Sequence, residues 1–413
     1  MNMMRIAWSV AVLILLNGCT TLSEAPPRQT PAPETTRAPA EPMSEALVTA
    51  RAPSEPASTP PEPVIASSPG AIPVKMSPVP EEKRAEYAKV RVFFVTDRNP
   101  TGETKPGKMF GDNRSSNLTY GTCEVSIPKD HRTGELETPS IWLLEIREDP
   151  TKHVVLQSTV IKSRDKFFSE VATRVHQSKS GKAFLFVHGY NVTFADAARR
   201  TAQITYDLDF DGAPTFYSWP SQGAIAAYTI DEQNIEWAQP NLKNFLEDFF
   251  AHSGSKDVYL IAHSMGTRAL TRAIASLLNE KPTLRSRLKE VILAAPDIDA
   301  DIFKRDIAPA LTATGSPITL YASSRDRALV ASRKVHGNPR AGDTHQGVVI
   351  VPGIETVDAT HVDTDFLGHS YLSENKSVLS DIFNLIRHGK RADQRFDLRA
   401  VDLQEGRYWE FTP

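Results

Sequence analysis

Short apolar runs alternate along this chain with segments whose apolar residues recur at helical spacing. Residues 183–187, 258–262, 291–295 and 318–322 are nearly continuous stretches of Val, Ile, Leu, Phe, Tyr and Ala. Strands buried on both faces of a parallel sheet have this unbroken character, whereas a half-exposed strand alternates. From Gly266 the period changes: Ala269, Leu270, Ala273, Ile274, Leu277 and Leu278 form one helical stripe, which Pro282 stops. A second stripe, Val378, Leu379, Ile382, Phe383 and Ile386, predicts a C-terminal helix. The alternation predicts an α/β fold with a mostly parallel central sheet and helices on both faces. Residues 92–95 and 122–127 are expected to open the sheet with antiparallel strands, and 354–357 to be its last strand. Residues 221–239 and 335–352 are the expected walls of an open cleft, and short connections after the helix at 266 leave no room for a large cap domain.

The front of the chain follows another rule. Arg5 precedes an apolar run from Ile6 to Leu16, and Asn17-Gly18-Cys19 follow. A run this short does not span a bilayer, which takes about 20 residues, but it suits an export signal. Leu16-Asn17-Gly18-Cys19 resembles a bacterial lipobox, which implies a signal peptide over 1–18 and acylation of Cys19. Residues 19–85 are rich in Pro, Ala, Ser, Thr and Glu, and hold half of the chain's 30 prolines. Such a composition cannot bury enough apolar surface to fold, so this stretch is read as a tether. Residues 86–390 remain for one α/β domain and 391–413 for a C-terminal tail. The expected location is the bacterial cell envelope, lipid-anchored at the outer membrane and facing the periplasm.

Charge and cysteine content narrow the chemistry. The formal net charge of −3, from 47 basic and 50 acidic residues, gives no electrostatic footprint for nucleic acid. Of two cysteines, acylation of Cys19 would leave Cys123 without an intramolecular partner. No phosphate-binding glycine loop or metal-ligand spacing occurs, and neither a cofactor nor a metal is expected. Arg325, Arg327, Arg333, Lys334 and Arg340 form a basic run, read as a solvated face, with attraction of an anionic substrate as the lesser reading.

The strongest local signal is Ala262-His263-Ser264-Met265-Gly266, placed where the strand 258–262 gives way to the helix after 266. A nucleophile elbow needs this setting: the serine stands on a sharp strand-to-helix turn, with small residues two positions to either side. The helix N-terminus then faces the serine, so that Met265 N–H can stabilise an oxyanion. A serine hydroxyl needs a base and an orienting carboxylate, in the chain order serine, acid, histidine. Asp326, just after the strand 318–322, is the expected acid, with Asp297 as its rival; Asp299 and Asp301 look like helix caps. His369, in Gly368-His369-Ser370-Tyr371, is the expected base, with His361 as the alternative. His188-Gly189-Tyr190-Asn191 follows the strand 183–187 and should supply the second oxyanion donor, Tyr190 N–H, or failing that Asn191 N–H. His188 itself is expected to hold the loop's shape and do no chemistry.

Residues 90–386 resemble the α/β-hydrolase superfamily, and within it a bacterial branch of hydrolase-like proteins of unknown function. Phe186-Val187-His188-Gly189-Tyr190-Asn191, Tyr217-Ser218-Trp219-Pro220-Ser221, the elbow, Ala294-Ala295-Pro296-Asp297, Tyr321-Ala322-Ser323-Ser324-Arg325-Asp326 and Gly368-His369-Ser370-Tyr371 carry the likeness. It implies the fold and a Ser264-His369-Asp326 triad, and says little about substrate. The expected activity is cleavage of an ester or lipid through an acyl-enzyme. Acyl transfer by the same triad, or a non-catalytic binding lipoprotein on the same fold, are the alternatives.

Overall fold

The computed structural model describes residues 86–139, 147–362 and 376–412. Among them eleven strands form one sheet in the order β10-β11-β9-β8-β7-β6-β4-β5-β1-β2-β3. These strands are β1 (Tyr87–Pro100), β2 (Phe110–Pro128), β3 (Val155–Lys162), β4 (Lys182–Val187), β5 (Gly212–Ser218), β6 (Asp257–His263), β7 (Leu288–Ala294), β8 (Ile318–Ala322), β9 (Glu355–Asp358), β10 (Leu398–Leu403) and β11 (Gly406–Phe411). Pairing is parallel from β1 through β9 and on to β11. It is antiparallel at β1/β2, β2/β3 and β10/β11.

Eight α-helices among the described residues connect the strands: α1 (Arg164–Gln177), α2 (Phe194–Asp207), α3 (Tyr228–His252), α4 (Gly266–Glu280), α5 (Ala300–Ile302), α6 (Ala308–Thr312), α7 (Arg327–His336) and α8 (Lys376–His388). A π-helical turn, Phe303–Ile307, joins α5 to α6. Because successive strand residues point to opposite faces, β4 feeds two cores at once. Ala183, Leu185 and Val187 pack with α1, α3 and α4, while Phe184 and Phe186 pack with α2 and α8. Both layers are buried and apolar, which is why these strands read as continuous apolar runs.

The end of the chain departs from expectation. The strand expected at 354–357 is β9, but it is not the last: residues of the expected tail form the β10–β11 hairpin, and β11 pairs with β9 through Trp409 and Glu410. Two arginines fasten this addition. Arg391 reaches Glu290 at 2.6 Å and Glu355 at 2.9 Å, and Arg395 reaches Asp381 at 2.8 Å and Glu355 at 3.0 Å. β10 is largely exposed and β11 mostly half-buried, so these strands lack the apolar run that betrays a fully buried strand.

The strand order fixes where a ligand can bind. β4 has β5 on one side and β6 on the other. The chain therefore reverses its progress across the sheet there, and the carboxyl ends of β4 and β6 flank the resulting crevice. These are the ends that carry residues 188–191 and Ser264.

Candidate active site

Ser264 lies between β6 and α4 with φ of 49°, a left-handed conformation that non-glycine residues adopt only when their surroundings hold them there. Its N–H donates to Ala294 O at 2.9 Å, and its carbonyl accepts from Thr267 N–H at 3.1 Å, Thr267 Oγ1 at 2.6 Å and Asp297 N–H at 3.3 Å. The turn is thus braced by its own helix and by the loop after β7. A Cβ on Gly266 would come within 2.3 Å of His188 O and 2.8 Å of Val187 O, so only glycine lets the elbow close on β4. Gly189 does the same from the other side: a Cβ there would lie 2.9 Å from Ser264 Cβ. The backbone of the 188–191 loop therefore lies directly against the serine. Met265 follows Ser264 at the N-cap of α4 and is buried.

The loop is shaped by buried polar groups. His188 stacks on Trp219 with ring centroids 5.1 Å apart, and its ring contacts Gly189 O at 2.8 Å and Ser218 Oγ at 3.2 Å. Trp219 Nε1–H donates to His188 O at 2.8 Å. Burial, reinforced by the nearby Arg98 guanidinium, depresses His188 to about 3, so its ring is neutral at physiological pH. Asn191 adopts φ of 57° and directs its N–H to Asp231 Oδ2 at 3.2 Å. The Asn191 N–H is thus engaged by a buried carboxylate. The Tyr190 ring meets Tyr228 edge-on at 5.2 Å.

The two candidate acids have different surroundings. Asp326, buried at the carboxyl end of β8, caps α7: its Oδ1 accepts from Ala328 N–H at 2.9 Å and Leu329 N–H at 3.0 Å. Asp297 is clamped by Arg340 Nε at 2.8 Å and Arg268 Nη2 at 3.2 Å. It also accepts from Ser332 Oγ at 2.6 Å and from the Tyr228 hydroxyl. Burial alone would raise its carboxyl, but Arg268 and Arg340 outweigh it and hold Asp297 below the usual carboxylate range. Asp299 caps α5 through Asp301 N–H and Ile302 N–H, and Asp301 is exposed.

His361 is exposed in the turn after β9. His369, its segment Gly368-His369-Ser370-Tyr371, and Cys19 with the signal and tether lie outside the described residues. The basic run divides. Arg325, Arg327 and Lys334 are exposed, but Arg333 pairs with Asp343 at 3.1 Å and Arg340 is buried on Asp297. Arg340 is thus no part of a solvated face. Its segment lies along the loop after β7, with Ala300 N–H on Pro339 O, Ala341 N–H on Ile298 O and Gly342 N–H on Pro296 O. Among the described residues no cluster of three or more His, Cys, Asp or Glu could hold a metal, and no helix is long and apolar enough to cross a membrane.

A family model described as alpha/beta hydrolase of unknown function (DUF900) matches residues 163–388. The chain belongs to this alpha/beta hydrolase family. The stretch matched runs from the N-cap of α1 to the end of α8, and so holds the elbow, the 188–191 loop and both candidate acids. Among solved structures, the hydrolase resembles the carboxylesterase CesB from Bacillus subtilis at 12% identity and TM-score 0.27, over 51% of this chain and 85% of that one. It resembles LpqC, a poly(3-hydroxybutyrate) depolymerase from Bordetella parapertussis, at 13% and 0.30, over 66% and 85%. A lipase-esterase related protein from Clostridium acetobutylicum matches at 12% and 0.28, over 51% and 95%. No curated protein matches the sequence.

Proposed function

We propose that this family member is an envelope-anchored serine hydrolase that cleaves carboxylic esters through an acyl-enzyme. The observation that carries the reading is the left-handed Ser264 at the crevice, with Gly189 packed against its Cβ. In the proposed reaction His369, oriented by Asp326, takes the Ser264 proton as Oγ bonds to the ester carbonyl carbon. Met265 N–H and Tyr190 N–H hold the oxyanion. Collapse expels the alcohol, which takes the proton from His369. Water, deprotonated by His369, then attacks the acyl-enzyme and releases the acid with Ser264 restored. Acylation of Cys19 would hold the enzyme at the membrane. Residues 20–80 would give it a reach of about 190 Å at most, at about 3.1 Å per residue.

Fluorophosphonate labelling of the purified full chain tests the reading. Wild type should gain one adduct mapped to Ser264, with none on Ser264→Ala and a loss of at least about a thousandfold in rate on His369→Ala. A folded wild type that takes no label would overturn the proposal in favour of a binding protein on the same fold.

A further inference from the structure

Two buried charges lie behind the 188–193 loop, and neither comes from a strand end that supplies a candidate triad member. Asp231, on the first turn of α3, is 0% exposed, and Arg98, on β1, is 1% exposed. Asp231 Oδ2 accepts from Asn191 N–H at 3.2 Å and Ser221 Oγ at 2.6 Å, and Oδ1 accepts from Gln222 N–H at 2.8 Å. Arg98 donates through Nη2 to Val192 O at 2.6 Å, through Nη1 to Ser221 O at 2.9 Å and Gly111 O at 3.0 Å, and through Nε to Ser218 Oγ at 2.8 Å. Ser221 stands between them, its Oγ also accepting from Val192 N–H at 3.2 Å. Each residue of the pair Asn191-Val192 is therefore fixed by a charged group or by the serine that bridges them.

Burying two ions is costly even where each is hydrogen-bonded, and contributes little net stability over an apolar replacement. What the arrangement does supply is position. Asn191 holds a left-handed backbone, and the residue before it carries the proposed oxyanion donor. An amide donor must sit within about half an ångström of its productive place. Building on the proposed serine chemistry, we infer that Arg98 and Asp231, bridged by Ser221, are positioning residues that set the oxyanion loop against Ser264. Asp231 also faces the N-terminus of α3, whose N-cap, Ala227, offers no side-chain acceptor. A purely structural role in capping that helix dipole is the rival explanation.

The two separate in the kinetics of fluorophosphonate labelling on the full chain. A helix-capping role changes how much protein is competent, and so the final labelled fraction. A positioning role changes the rate constant of each competent molecule, because the donor acts on the oxyanion in the transition state. Asp231→Asn is expected to label to full extent but about a hundredfold more slowly. Ester turnover should lose kcat and kcat/KM equally, with KM unchanged. Glu290→Gln removes a buried carboxylate with its own arginine partner, Arg391, near the amino end of β7. It should label at the wild-type rate even where it lowers the melting temperature as much. Ser221→Ala serves if Asp231→Asn does not fold, with a loss of about tenfold expected. Wild type labelled at Ser264, with either variant as fast or reduced only in final extent, would overturn the inference and leave the proposed function standing. An unlabelled wild type would overturn both.

Discussion

Asp297 and Asp326 follow adjacent parallel strands and are both buried, yet their partners differ in kind. Asp297 is held by two guanidinium groups and two hydroxyls, and so is committed to the wall between α3, α4 and α7. Asp326 caps the helix that follows it, its Oδ1 accepting from the first-turn N–H groups of Ala328 and Leu329. A catalytic carboxylate has to spend its charge on a histidine that becomes cationic in the transition state. Two arginines already neutralise Asp297, which leaves little of its charge for that task. Equivalent places at the ends of two strands thus sit in different surroundings, one among guanidinium groups and one at a helix cap.

Exchange of Asp326 for Asn gives the largest expected effect. Asn caps helices about as well as Asp, so α7 should persist and the melting temperature should hardly move. Ester turnover should fall by about ten-thousandfold; retained turnover would remove Asp326 from the triad. Asp297→Asn should do the reverse. It leaves the buried Arg340 beside a neutral amide, with Arg268 still paired to Glu232, and denaturant unfolding should report a loss of about 3–5 kcal/mol, while turnover per titrated active site stays near wild type. A collapse of turnover with stability intact would exchange the roles of the two acids.

Arg340→Met keeps Arg268 on Asp297 and should cost about 2 kcal/mol in the same experiment. KM for anionic and neutral esters should be equally unaffected, whereas a selective rise for anionic esters would restore the substrate-attracting reading of the basic run. The smallest effect is in pH. Because the folded carboxyl of Asp297 lies below its unfolded value of about 3.9, its contribution is present above that value and is lost as pH falls through the folded one. The stability gap between wild type and Asp297→Asn should therefore be constant from pH 7 to 5 and narrow below 4. A constant gap down to pH 2.5 would mean that the carboxyl is not held in its ionised form.

The parts legible in the sequence are those built locally. The strand-turn-helix at Ser264, the four central strands and the stripe of α4 follow from the period of apolar residues over a dozen positions. β10 and β11 were not legible, because a partly exposed hairpin at a sheet edge has no apolar run. The charges were the hardest to read. Arg340 sits among basic residues that do face solvent, and only the passage of residues 339–343 along the β7 loop buries it. Arg98 and Asp231 are separated by more than a hundred positions, so their shared contact with Ser221 leaves no spacing to detect. His188 was legible as a loop-shaping residue from its place before Gly189, although its stacking on Trp219 was not.

For anyone wishing to retool this cleft, the close contact of Gly189 and Gly266 with their neighbours sets the terms of a library. Randomising the loop as a block would discard nearly every clone at those two codons, since each substituent strikes backbone or the serine itself. Diversity belongs instead at the partly buried ring of Tyr190, with Tyr228 kept because its hydroxyl is bonded to Asp297 and Ser332. A search confined to that position covers twenty side chains, few enough to screen one by one.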